Sequence, residues 1–263
     1  MKTRLKPTRC ALVTGASRGI GTYFARALAA RSWDVILVAR TKDQIEQLAL
    51  ELSSVFGIRA EAVALDLTAD GAGAELSRIT AERGLDVELL VNNAGFGDRG
   101  EFLKLPLYEQ SSMIRLNAVA LVELTHHLLP RMIVNQRGAI INVSSTAGFQ
   151  PMPYVAVYAA TKAFVTSFSM ALAEEVRAHG ITVVTLCPGP TRTKTSTEDD
   201  SRSRFPGGLQ PAENVVEEAL RQVDRQGGLV VPLVINKVMA FSNRLMPLQV
   251  SAKIVARATR PQR

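Results

Sequence analysis

The chain has 263 residues, 47% of them apolar, and a formal net charge of +7; this fits one α/β domain with a full-sized core. No apolar run reaches the ~18 residues of a bilayer span, and the opening MKTRLKPTRC lacks the apolar stretch of a secretory leader, so a cytoplasmic protein is expected. The positive charge sits at the two ends, in Lys2, Arg4, Lys6 and Arg9 and in Lys237, Arg244, Lys253, Arg257, Arg260 and Arg263, with no acid in 1–9 or 233–263; the body between is slightly acidic, which excludes a nucleic-acid-reading surface across the fold.

Short β-branched runs predict strands at 11–14, 35–39, 60–65, 88–92, 139–144, 181–186 and 229–231. The intervals are mostly long enough for helical crossovers, which parallel strands require. Runs such as VILVA and GAIINV are apolar at consecutive positions, the pattern of strands covered on both faces. The expected architecture is a Rossmann-type three-layer α/β/α sandwich with a doubly wound, seven-stranded parallel sheet, forming a single domain over 1–263. Cys10 and Cys187 then fall at opposite ends of the sheet, too far apart for a disulfide.

The first strand enters Thr14-Gly15-Ala16-Ser17-Arg18-Gly19-Ile20-Gly21, and a helix is predicted over 22–31. Glycine permits a tight turn and close backbone approach, and the free N–H groups at a helix start attract phosphate. The second strand ends in Val38-Ala39-Arg40, where NAD-binding proteins commonly carry an acid for the ribose hydroxyls. Arg40, with Arg18 in the glycine turn, can instead hold a 2′-phosphate through charge-assisted bonds, so NADP(H) is expected in preference to NAD(H).

Farther along, the strand at 139–144 leads to Ser145, which is expected to meet a substrate oxygen beyond the carboxyl edge of the sheet. The adjacent Ser144 should point to the other side by strand alternation. Tyr158 and Lys162, four apart in YAATK, share one face of a helix. A free tyrosine has a pKa of about 10, and lowering it by ~3 units takes ~4 kcal/mol of differential stabilisation, part of which a neighbouring ammonium can supply.

TGASRGIG, the NNAG run at 92–95, Asn117, Ser145, YAATK and Pro188-Gly189, in this order and spacing, resemble the compact branch of the short-chain dehydrogenase/reductase family over roughly 10–232. The resemblance implies a catalytic set of Asn117, Ser145, Tyr158 and Lys162, with Asn117 anchoring a water in a proton relay. It also implies cofactor contacts from Gly15, Ser17, Arg18, Gly19, Ile20 and Gly21 in the turn, from Asp66 and Leu67 beside adenine, and from Asn93, Ala94 and Gly95 beside its ribose. Lys162 with Tyr158 would meet the nicotinamide ribose, and Pro188, Gly189 and Thr193 the nicotinamide amide. The expected reaction is hydride transfer to an apolar ketone or aldehyde, or its reverse as an alcohol, hydroxysteroid or 3-oxoacyl dehydrogenase. A non-catalytic dinucleotide sensor would be free to lose Ser145, Tyr158 or Lys162, and all three are present. A homodimer or homotetramer follows from the same resemblance.

Phe96, Phe149, Met152, Tyr154 and Val155 are expected near the nicotinamide, with Phe149 and Tyr154 touching substrate alongside Ser145 and Tyr158. The polar stretch 190–211 reads either as a solvated connection or as a substrate lid that closes through Phe205 and Leu209. His126, His127 and His179 have no zinc-site spacing, and no metal is implied. The basic extension 233–263 looks helical on either side of Pro247. It fits a helix packed over the substrate pocket or a subunit boundary, or a helix lying on a membrane surface.

Overall fold

In the computed structural model, residues 9–193, 208–242 and 246–260 are described. The central sheet holds β1 (Cys10–Thr14), β2 (Asp34–Ala39), β3 (Ala60–Ala64), β4 (Val87–Asn92), β5 (Gly138–Val143), β6 (Ile181–Leu186) and β9 (Gly228–Val230). Their order is β3-β2-β1-β4-β5-β6-β9 and every pairing is parallel. The order reverses direction between β1 and β4, which opens a crevice at the carboxyl ends of the strands.

Consecutive apolar residues in the strands serve two cores. In β2, Val35, Leu37 and Ala39 pack into one buried cluster and Ile36 and Val38 into the other. Helices α1 (Ile20–Ala29), α2 (Lys42–Phe56) and α7 (Ala212–Asp224) supply Phe24, Leu28, Ile45, Leu52 and Val215 to the first. Helices α3 (Ala72–Glu82), α5 (Ala120–Val134) and α6 (Ala156–Val176) supply Leu76, Leu124, Leu128 and Leu172 to the second. Helix α1 starts two residues earlier than its sequence suggests, so Ile20 and Gly21 belong to its first turn.

Three features were not legible beforehand. The stretch 156–179 is apolar and long enough to cross a bilayer by composition, although no uninterrupted apolar run marks it; here it packs on the sheet, with Leu172 and Val176 in the second core. Helix α4 (Leu107–Ile114) continues into α5 through a π-helical turn, Arg115–Val119. The ends of the 190–211 segment pair as short parallel strands, β7 (Thr191–Arg192) with β8 (Gln210–Pro211), so those residues are not loop. The rest of the expected lid, including Phe205, lies largely outside the described residues. The C-terminal extension is helical on either side of Pro247, as its sequence predicts, and folds as α8 (Val234–Ser242) and α9 (Leu248–Thr259).

Candidate active site

A cleft of about 1670 Å³ runs along the carboxyl edge of the sheet. Its cofactor end is built from the turn after β1. Gly15 and Gly21 sit back to back: a Cβ on Gly21 would lie 2.3 Å from the Gly15 carbonyl oxygen. Asn93 binds the same turn, its Nδ2 donating to the carbonyls of Thr14 at 2.8 Å and Gly15 at 3.3 Å. The Thr14 hydroxyl in turn accepts from the N–H groups of Asn93 and Ala94, both at 2.9 Å. Gly19 caps α1 at φ 63° with no side-chain hydrogen bond, and a Cβ there would meet nothing within 4 Å. The helix start therefore faces open space, the cradle that a pyrophosphate fits.

Ser17, Arg18, Gly19 and Ile20 line this end of the cleft together with Arg40, Asp66, Leu67, Asn93, Ala94 and Gly95. Arg18 and Arg40 are both exposed there, and β2 ends without an acid. Asp66 accepts from the backbone N–H of Thr68 at 2.9 Å and from its hydroxyl at 2.8 Å. Those bonds hold its carboxyl below the usual range, with Arg40 adding a smaller push. Pro188, Gly189 and Thr193 line the far side of the cleft.

At the middle of the cleft β5 delivers Ser145 and α6 delivers Tyr158 and Lys162. The Ser144 hydroxyl turns inward, donating to the Lys162 carbonyl at 2.7 Å and sharing a 2.7 Å bond with Thr166. The Ser145 hydroxyl instead accepts from the Ala147 N–H at 3.1 Å at the cleft surface. Lys162 is buried, donates from Nζ to the Val143 carbonyl at 2.8 Å, and places Nζ 5.8 Å from the centre of the Tyr158 ring. Burial pushes the Lys162 ammonium down to about 8. The neighbouring Cys187 thiol is pushed up to about 11 by its own burial, so it stays neutral at physiological pH and offers no counter-charge.

Asn117 lies in the π turn, a helix irregularity that recurs at functional sites. The turn aims its buried amide at the loop after β4. Asn117 Nδ2 donates to the Phe96 carbonyl at 2.9 Å and to Thr161 Oγ1 at 3.0 Å, and Oδ1 accepts from the Phe96 N–H at 3.1 Å. Thr161 Oγ1 then donates to the Tyr158 carbonyl at 2.7 Å. Asn117 thus ties the Phe96 loop to the helix that carries Tyr158 and Lys162.

Two residues expected to touch substrate do not line the cleft. Phe149 closes the 3₁₀ turn Thr146–Phe149, which presents Ala147 and Gln150 to the cleft but not Phe149. Tyr154 also does not line the cleft: it adopts φ 66°, and its hydroxyl accepts from Arg260 Nε at 3.1 Å. Leu209 is likewise absent from the lining, whereas Phe96, Met152 and Val155 contribute to it.

The remaining wall comes from residues that motif reading did not single out. Asn236, Ala240, Met246, Ser251, Ile254, Val255 and Thr259 line the cleft from the C-terminal segment. Asn236 packs so closely on the Pro188-Gly189 turn that a Cβ on Gly189 would lie 2.4 Å from its amide nitrogen. Arg99 fastens the end of α9 by donating to the Thr259 carbonyl from Nε at 3.0 Å and from Nη2 at 2.6 Å. The inward polar positions Asn236, Ser251 and Thr259 are the signal in the sequence that could have placed these helices against a polar cleft.

The short chain dehydrogenase family profile matches residues 9–204. The chain belongs to that family. This short-chain dehydrogenase is 35% identical over 188 residues to the very-long-chain 3-oxoacyl-CoA reductase of Bos taurus, covering 70% of its own length and 60% of the bovine protein. It thus spans less than two thirds of that relative. Among solved structures, it is similar to a short-chain dehydrogenase from Sphingobium yanoikuyae in complex with NADPH, at 32% identity and a TM-score of 0.80, covering 90% of this chain and 93% of that one. It is also similar to the bulky-bulky ketone specific alcohol dehydrogenase from Comamonas testosteroni, at 29% identity and a TM-score of 0.79, covering 91% and 92% of the two chains.

Proposed function

We propose that the protein is an NADPH-dependent carbonyl reductase acting on an apolar ketone or aldehyde. The observation that carries this reading is one continuous cleft with a phosphate cradle at one end and Ser145, Tyr158 and Lys162 at its middle. A nicotinamide cofactor held there would supply or accept the hydride.

The chain's own groups account for the proton. Ser145 donates a hydrogen bond to the substrate oxygen and fixes its position. Tyr158 gives its phenolic proton as the oxygen gains negative charge, which is general acid catalysis. The Lys162 ammonium, held by Val143 beside the Tyr158 ring, stabilises the phenolate left behind. Asn117 keeps the Phe96 loop and α6 in register. The same groups serve the reverse reaction, so cofactor ratio sets the direction.

Preference for NADPH over NADH is supported by the two guanidiniums, Arg18 and Arg40, at a cleft end where β2 contributes no acid. The NADPH carried by the Sphingobium neighbour is in keeping with it. An apolar substrate is supported by the lining of Phe96, Leu116, Met152, Val155, Met246 and Ile254. The bulky ketones and long-chain oxoacyl groups in the names of two relatives are in keeping with that lining.

The test is consumption of NADPH, and separately NADH, against a panel of aliphatic, aromatic, steroid and 3-oxoacyl carbonyls. Turnover of at least one apolar member with NADPH supports the reading. Cofactor binding with no turnover across the panel rejects it in favour of a dinucleotide-sensing role.

A further inference from the structure

The two C-terminal helices bury polar side chains and expose large apolar ones. Helix α8 buries Asn236 at 6% exposure and leaves Val238 at 60%; α9 buries Ser251 at 2% and leaves Leu248 at 61%. Val234, Ile235, Phe241, Val250 and Ile254 are exposed on the same pair of helices, and Thr259 is buried. The inward polar groups are satisfied within the protein: Asn236 donates to the Pro232 carbonyl at 3.1 Å, and Thr259 to the Pro153 carbonyl at 2.9 Å. Asn236, Ser251 and Thr259 thus face the protein beside Ala240, while Val234, Ile235, Val238, Leu248 and Val250 are exposed, an apolar surface that a helix bordering water does not normally present.

Each outward aliphatic side chain forgoes part of its burial free energy when it faces water. Such a face calls for an apolar partner. Its charge says which kind. Lys237, Lys253 and Arg257 are exposed on the same two helices, and residues 233–263 contain no acid. Lys237 approaches Glu218 of α7 at 3.8 Å, so Lys253 and Arg257 carry most of the outward positive charge. A second copy placed on this face by a two-fold axis would bring cations against cations. An apolar plane fringed by lysine and arginine instead matches an anionic lipid surface, where the aliphatic groups embed and the cations reach the phosphates.

We propose that α8 and α9 dock the protein on an anionic membrane surface. Ile254 is both half exposed and part of the cleft wall, so the docked face borders the mouth of the cleft. The proposal rests on the exposure and charge of the two helices and holds whatever carbonyl the cleft accepts.

The experiment is co-sedimentation of the full chain with vesicles of phosphatidylserine and phosphatidylcholine, and with phosphatidylcholine alone. Two variants are compared, Val234→Ser/Val238→Ser/Leu248→Ser and Lys253→Gln/Arg257→Gln, with thermal melts to verify folding. The wild type should sediment with the mixed vesicles, the triple serine variant should lose more than about tenfold in partitioning, and the charge variant should lose the preference for phosphatidylserine. Absence of wild-type sedimentation, or equal sedimentation of all three proteins, overturns the proposal. Concentration-dependent dimerisation that the serine variant abolishes would also overturn it, assigning the face to a second copy.

Discussion

The Lys162 ammonium donates to the Val143 carbonyl at 2.8 Å while buried beneath the cleft. Its pKa is pushed from 10.5 down to about 8 by that burial. A lowered lysine pKa means that the unfolded chain binds more protons than the folded one between those two values. Stability is therefore expected to rise with pH through that window, and the penalty, about 3 kcal/mol, is fully present below it. Urea denaturation of the cofactor-free protein checks this: Lys162→Met should be more stable than wild type at neutral pH, and the gap should narrow as pH approaches the ordinary lysine value. A gap that does not change with pH contradicts the assignment.

Tyr158 and Gly97 are in contact such that a Cβ on Gly97 would stand 2.7 Å from Cδ2 of the ring. Gly97→Ala should displace the phenol and lower turnover by about 10²-fold. Tyr158→Phe should lower it by about 10²- to 10⁴-fold through loss of the acid. Both should bind NADPH within about twofold of wild type by fluorescence titration, since neither alters the phosphate cradle.

Ser144 and Ser145 should separate cleanly. Ser145→Ala removes the donor to the substrate oxygen and is expected to cost about 10²- to 10³-fold in turnover with little change in melting temperature. Ser144→Ala removes its bonds to the Lys162 carbonyl and Thr166, which keep a 3.0 Å bond to each other, and is expected to cost about 0.5–1.5 kcal/mol in stability with no comparable loss of turnover. Kinetics and urea denaturation on the two variants provide the check.

Arg40→Asp should invert cofactor choice. The acid would repel a 2′-phosphate and accept from ribose hydroxyls, so KM for NADPH should rise by about tenfold or more while that for NADH falls. Unchanged ratios would remove Arg40 from cofactor selection.

Arg99→Ala should loosen α9 by releasing the Thr259 carbonyl. The expected readout is a severalfold rise in KM for an apolar carbonyl, with a smaller change in kcat, because the wall moves and the proton donor does not.

The strands were legible because both of their faces are buried. Val35 and Ile36 go to different cores, and that demand leaves a continuous apolar run that composition reveals. The glycine turn and the Tyr158–Lys162 pair were legible because close approach and helical spacing are local requirements. The π turn around Asn117 was not, since RLNAV carries no compositional mark of an i→i+5 ladder. Tyr154 differs for a related reason: an aromatic residue suggests a pocket lining, but no local pattern marks its φ of 66° or the bond its phenol accepts from Arg260. The pairing of Thr191–Arg192 with Gln210–Pro211 depends on the chain returning across a long insertion, which no local pattern records.

The reversal of strand order between β1 and β4 has a bearing on inheritance. The groups that would discriminate between dinucleotides, Arg18 and Arg40, are both encoded before β4, and those that would meet a carbonyl, from Ser145 onward, after it. Recombination at a junction within α3 would exchange one set and leave the other whole. Electron donor and electron acceptor can therefore be reselected separately, by breeding or by design, within one scaffold.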